Sequence, residues 1–93
     1  MDSIIRKVYK YGPFIPGISR HMRIQTPYKV VLFGEQHGDL MIWVEQTVEP
    51  DAGITETIFT VYGTGWEIGA GDMHVASLVA GDFVWHLYSR MAK

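Results

Sequence analysis

YKVVLFGEQHGDLMIWVEQTV, Tyr28 to Val48, decides the architecture. Two runs of β-branched, aromatic and aliphatic residues, Tyr28–Glu35 and Leu40–Val48, flank Gln36-His37-Gly38-Asp39. Gly accepts positive φ without steric cost and His tolerates it, so a tight turn centred on His37 and Gly38 makes this a β-hairpin. A two-residue loop sets Gln36 opposite Asp39. Phe33 then faces Ile42 and Val31 faces Val44, while on the other side Leu32 faces Trp43 and Gly34 faces Met41. Both faces carry large apolar groups. A sheet wetted on one side shows one polar face, so a second sheet, a barrel wall or a second subunit is expected to cover the other.

The same vocabulary recurs along the chain. Short β-branched and aromatic runs lie between Gly, Pro and Asp punctuation, and helical periodicity is hard to find. Ile4–Tyr11 is one run, stopped by Gly-Pro-Phe-Ile-Pro-Gly. Ile18–Gln25 alternates, with Ile18, Met22 and Ile24 sharing a side with Arg20. Glu49–Gly53 reads as an exposed turn. Thr55–Tyr62 places Ile58 and Tyr62 on one side, Phe59 and Val61 on the other. Met73–Ala80 and Phe83–Arg90 form a second hairpin across Gly81-Asp82, pairing Ala80 with Phe83, Leu78 with Trp85 and Ala76 with Leu87. Met91–Lys93 reads as a frayed tail, and Glu67–Asp72 has room for one helical turn. The expected fold is all-β: one domain over residues 1–93, a small antiparallel barrel or sandwich of six to seven short strands.

Composition narrows the function. The chain has 93 residues, 47% hydrophobic and 19% charged, with a net charge of −2. That is a globular domain without the clustered cations that nucleic-acid binding uses, and nucleic acid is not an expected partner. It has no cysteine, which removes thiol catalysis, disulfides and thiolate zinc sites. No apolar run reaches the ~18 residues of a membrane helix. Arg6 and Lys7 interrupt the first apolar run, so a signal-peptide core is not expected there.

The glycine-rich stretch Val61–Asp72, VYGTGWEIGAGD, lacks the lysine of a triphosphate-binding loop, and no helix pattern follows it. Gly63-Thr64-Gly65 therefore reads as a strand terminus needing unusual backbone angles, which leaves room only for a weak anion site made by bare amides. The four histidines fall apart in the expected register. His21 lies on the polar side of its strand, and His37 sits at a turn tip. His74 shares a face with Trp85 and Leu87, while His86 opposes Ser77 on the reverse face. No metal site is expected. Ser3, Ser19, Ser77 and Ser89 lack a nucleophile-elbow context, so no catalytic residue is assigned. Aromatics make up 13% of the chain. Phe33, Trp43, Phe59 and Trp85 read as core. Trp66, after the Gly-Thr-Gly turn, is either a lid on the barrel end or an exposed anchor. The candidate binding surface is Gly63, Thr64, Gly65 and Trp66 with Tyr9 and Tyr11, and Arg6, Lys10 and Arg23 are candidate anion contacts. No cofactor is expected.

Three fragments carry a resemblance: Val-Tyr-Lys-Tyr-Gly near the start, Val-Tyr-Gly-Thr-Gly-Trp-Glu-Ile in the middle, and Asp-Phe-Val-Trp-His-Leu-Tyr-Ser-Arg at the end. In order and spacing the chain resembles a family of small bacteriophage and prophage proteins defined only as a domain of unknown function. The matching positions are Tyr9, Lys10 and Tyr11; Trp43; Gly63, Thr64 and Gly65; and Val84 to Tyr88. The chain departs from that pattern at Trp66, where family members usually carry His, and at Gly12, inserted before Pro13. The resemblance implies a phage origin and the cytoplasm of the infected bacterial host; it brings no activity. The expected function is a non-enzymatic accessory protein that binds a host protein, working as a homodimer or higher oligomer through the two-sided hairpin. A small-ligand or nucleotide-signal sponge and a minor virion component are the alternatives.

Overall fold

A computed structural model describes residues 4–92. Ser3 and Lys93, with the outermost ends of the expected 1–93 domain, lie outside them. Seven strands form: β1 (Arg6–Phe14), β2 (Arg20–Gln25), β3 (Tyr28–Gln36), β4 (Asp39–Thr47), β5 (Ile54–Gly63), β6 (Met73–Ala80) and β7 (Phe83–Met91). All pair antiparallel, in a three-stranded sheet ordered β1-β4-β3 and a four-stranded sheet ordered β2-β5-β7-β6. The sheets do not close into a barrel. They face each other as a sandwich, and β1, β3, β2 and β6 remain as edges.

The residues between the sheets follow strand alternation. Ile42, Val44 and Phe33 meet Ile24, Phe59, Val61 and Leu87 in one buried cluster, with Phe14 packed edge-to-face on Phe59 at 6.3 Å. Polar ties cross the same space: the Gln25 amide N–H donates to Gln46 Oε1 at 3.3 Å, and the Tyr28 and Thr57 hydroxyls bond at 3.1 Å. Gln46 is buried, and its amide donates to the Tyr11 hydroxyl, so little of its polarity is stranded.

Near its turn the first hairpin has the expected register, from Gln36 opposite Asp39 to Leu32 opposite Trp43. Beyond that, an extra residue enters β3. Val30, not Val31, stands opposite Val44, and Tyr28 stands opposite Gln46. The cause is visible in the side chains. Unbroken alternation turns Lys29 toward the core, where an unpaired ammonium is costly. The bulge at Val31 instead places Lys29 outward, opposite Glu45, and lets Tyr28 and Val30 pack inward.

The second hairpin does the same. Ala80–Phe83, Leu78–Trp85 and Ala76–Leu87 pair as expected, but the register then shifts, and His74 stands opposite Tyr88. Val75 is the extra residue; it packs against the core while His74 is exposed. The expected separation of His74 from His86 is thereby overturned: both lie on the outward face.

Three smaller expectations are also corrected. Glu67–Asp72 forms no helical turn and ends in a β-turn, in which the Asp72 N–H donates to Gly69 O at 3.1 Å. β1 runs past the expected stop to Phe14, with an irregularity after Tyr11. Met91 is not frayed: it pairs with Thr57, and the Ala92 N–H donates to Glu56 O at 3.0 Å. No helix among the described residues is long and apolar enough to cross a membrane.

The hairpin's second apolar face is only partly covered by the described residues. Trp43 lies half-buried beside Gly34, Met41 is buried under Gly12, and Leu32 is 53% exposed. Phe59, by contrast, is fully enclosed. Phe59→Ala is expected to cost about 3–5 kcal/mol, read as a lowered denaturation midpoint with an unchanged slope in urea unfolding.

Candidate binding site

β5 ends at Gly63, and a turn follows at once. The Trp66 N–H donates to Gly63 O at 3.2 Å, and Gly65 takes the left-handed φ of 87° that the turn requires. The chain folds back so that the Trp66 indole lies on Gly63. A Cβ built on Gly63 meets the ring at 2.7 Å, so a glycine is needed for this approach. The far side of the ring reaches Gly17 of the β1–β2 connection. Trp66 also packs edge-on against Trp85 at 6.0 Å, yet remains 47% exposed. The indole is thus folded back and still partly open: it packs on Gly63 and Trp85, and about half of it faces solvent.

Phe83, at the tip of the second hairpin, stacks on Trp85 with 5.6 Å between centroids and 14° between planes. It is 62% exposed. This ring stands between two hollows. One, of about 450 Å³, is lined by Gly63, Thr64, Trp66, Trp85 and Asp82. The other, of about 520 Å³, is bounded by Pro13, Ile15, Pro16 and Leu40 with Glu35 and Asp39. Phe83 and Trp85 border both. The result is an apolar cleft at one end of the sandwich. Among the described residues, every charged one that lines it is acidic.

The expected site thus splits. Gly63, Thr64 and Trp66 line this cleft, and Gly65 sits in the turn between them without lining it. Tyr9 and Tyr11 are not among its lining residues; Tyr9 lies opposite Val44 on the β1 edge, and Tyr11 opposite Ile42. The three cations do not converge on the turn. Arg6 pairs with Glu45 at 3.1 Å near the far end of β4, and Lys10 donates to Gln36 Oε1 at 2.7 Å. Arg23 stands beside Glu56, at the other end of β5 from Gly63, roughly 23 Å away at ~3.3 Å per residue. Phe83, Ile15 and Pro16 escaped the sequence reading, and Trp85 was assigned to the core alone. The available signal was Asp82-Phe83-Val84-Trp85: directly after a hairpin tip, two aromatics share one face.

The loop that carries Trp66 is fastened to the outward face of the larger sheet. The Tyr62 hydroxyl accepts the Gly69 N–H at 3.2 Å and donates to Asp72 Oδ2. Asp72 is nearly buried, its side chain 3% exposed, with the Arg90 guanidinium 3.4 Å from Oδ1. Beside this latch runs a second chain of bonds made by the corrected register. His74 Nε2 lies 2.8 Å from Ser77 Oγ, Ser77 Oγ lies 2.7 Å from His86 Nδ1, and His86 Nε2 lies 3.0 Å from Thr64 Oγ1. One ordering satisfies them all: His74 donates to Ser77, Ser77 to His86, His86 to Thr64, and Thr64 to Val84 O at 3.4 Å. The network thus binds Thr64, the first residue of the turn, to two strands. No three His, Asp or Glu residues gather as a metal group among the described residues.

The latch yields a pH dependence. Burial, then the hydrogen bond to Asp72, pushes the Tyr62 phenol above its usual value of 10.0. The native state therefore keeps a proton that the unfolded chain has lost. The resulting stabilisation is complete below pH 10.0 and disappears as pH rises from there through the raised native value. Tyr62→Phe, which leaves Asp72 Oδ2 without this donor, is expected to lose about 1–3 kcal/mol at neutral pH. It should also show a shallower decline in stability above pH 10.0 than the parent, followed by urea unfolding across that range.

No curated protein and no solved structure matches the chain. One family model does, over residues 5–93, nearly the whole domain. The chain belongs to the family described as Domain of unknown function (DUF7352).

Proposed function

We propose that this protein acts by binding, without chemistry of its own, and that the aromatic cleft at the Trp66–Phe83 end takes a segment of another protein. The observation that carries this reading is Phe83, a large ring stacked on Trp85 and left 62% exposed between two apolar hollows. Aromatic anchors bordered by pockets are where binding energy concentrates in protein interfaces. The resemblance to phage proteins gives the setting: an accessory protein in the cytoplasm of an infected bacterium, with a host protein as partner. The nucleotide-sponge alternative has less support. The turn's Trp66 amide is already used by Gly63 O, the lining charges are acidic, and Arg6, Lys10 and Arg23 lie elsewhere. No observation favours a virion component.

A second contact surface is proposed on the outward face of the smaller sheet. Val8, Val31 and Leu32 are exposed there around the half-buried Trp43, with Arg6 and Lys29 set among Glu45 and Gln36. Apolar groups interspersed with both charge signs suit a two-fold contact between copies of the chain.

Two experiments test these readings separately. Affinity capture from lysate of infected cells should retain a defined host protein with the parent and lose it with Phe83→Ser, while Leu32→Glu retains it. Equal capture by parent and Phe83→Ser removes the cleft from the interaction. Sedimentation at micromolar concentration should show a dimer that Leu32→Glu converts to monomer; a monomeric parent disproves the second surface.

A further inference from the structure

The hollow between Trp66 and Trp85 has a chemistry of its own. Its two indoles meet nearly at right angles, 77° between planes, and Trp66 remains 47% exposed. Phe83 extends the aromatic wall by stacking on Trp85. Asp82 stands at the mouth, on the exposed tip of the second hairpin. Among the described residues, no Lys or Arg lines the hollow. Aromatic faces carry negative quadrupole potential, and a cation within about 6 Å of a ring centroid is attracted to it. A carboxylate at the entrance adds a second, longer-ranged attraction of the same sign.

The neighbouring hollow repeats the bias. Glu35 and Asp39 border it, opposite Pro13, Ile15 and Pro16. An occupant lying across Phe83 meets apolar surface beneath and acids at both sides. A carboxylate or phosphate is repelled there. A wholly apolar occupant is accepted by the floor but leaves the acids without partners.

From these observations we infer that the Trp66–Trp85 hollow is a receptor for the cationic side chain of an extended protein segment, arginine above lysine. The guanidinium lies on an indole face and forks onto Asp82, while flanking aliphatic residues rest on Phe83 and Ile15. Arginine is preferred because its planar group stacks on a ring and bonds a carboxylate at the same time, whereas an ammonium acts as a compact, strongly hydrated charge. The assignment rests on the reading that the cleft binds protein, and names what the cleft selects.

The chain carries its own reporters. Trp66 and Trp85 line the hollow, and Trp43, on the smaller sheet, is the internal control. Acetylated, amidated tripeptides Leu-Arg-Leu, Leu-Lys-Leu, Leu-Leu-Leu and Leu-Glu-Leu are titrated into the labelled protein, and the three indole N–H resonances are followed by NMR. The Arg peptide is expected to move the Trp66 and Trp85 signals saturably and leave Trp43 in place. It should bind about tenfold more tightly than Leu-Leu-Leu, with the Lys peptide between them and the Glu peptide weakest. Asp82→Asn, at an exposed tip, should reduce the advantage of Arg over Leu severalfold, and added salt should do the same. Equal binding of Leu-Leu-Leu and Leu-Arg-Leu at the same resonances overturns the cation assignment and leaves the cleft as a protein-binding site. An unchanged preference for Arg in Asp82→Asn removes Asp82 from the receptor. Absence of any shift at Trp66 and Trp85 with every peptide overturns the assignment, and the Phe83→Ser capture experiment then decides separately whether the cleft binds protein.

Discussion

The space between two facing sheets must be filled by apolar side chains from both, without interruption. The register shifts of both hairpins serve that constraint. Strict alternation along β3 turns Lys29 inward, and strict alternation along β6 turns His74 inward. In each hairpin one extra residue, Val31 or Val75, resets the phase. The core then receives Tyr28, Val30 and Val75, while the cation and the imidazole go to solvent. The shifts are local, but their effects are not. The bulge at Val75 brings His74 onto the face that Ser77 and His86 already share, and His86 connects that face through Thr64 to the turn that carries Trp66.

Much of the architecture was legible because strand alternation and turn chemistry are local signals. His37-Gly38 and Gly81-Asp82 mark both hairpins, and register counted from each turn holds for several pairs. It fails at the bulges, where the deciding quantity is the cost of burying Lys29 or His74. That cost is known only once the opposite sheet is in place. The sandwich was likewise legible as a class, from two-sided apolar strands. Closure was not: whether sheets curl into a barrel depends on edge geometry that composition does not carry.

The candidate site was half legible. Gly63-Thr64-Gly65-Trp66 announces a special backbone and an aromatic beyond it, and the structure brings these residues together. Tyr9 and Tyr11 belonged to another part of the sequence, and their distance from the turn is a fact of strand order. Phe83 was read only as a strand residue opposite Ala80, which it is. Its exposure follows from standing at the strand's first position, beyond the edge of the facing sheet. The partition of charge was also hidden: Asp82 comes from one hairpin end and Glu35 and Asp39 from the other, and only folding places them around two adjoining hollows.

The ties that fasten the Trp66 loop use the Tyr62 hydroxyl, the Gly69 amide, the Asp72 carboxylate and the Thr64 hydroxyl, and none uses the side chain at position 66. The turn itself asks of that residue only a backbone N–H. Position 66 is therefore held through its backbone, and the indole adds packing on Gly63 and Trp85 rather than a polar tie. Exchange of the residue there gives up that packing and leaves the polar ties in place.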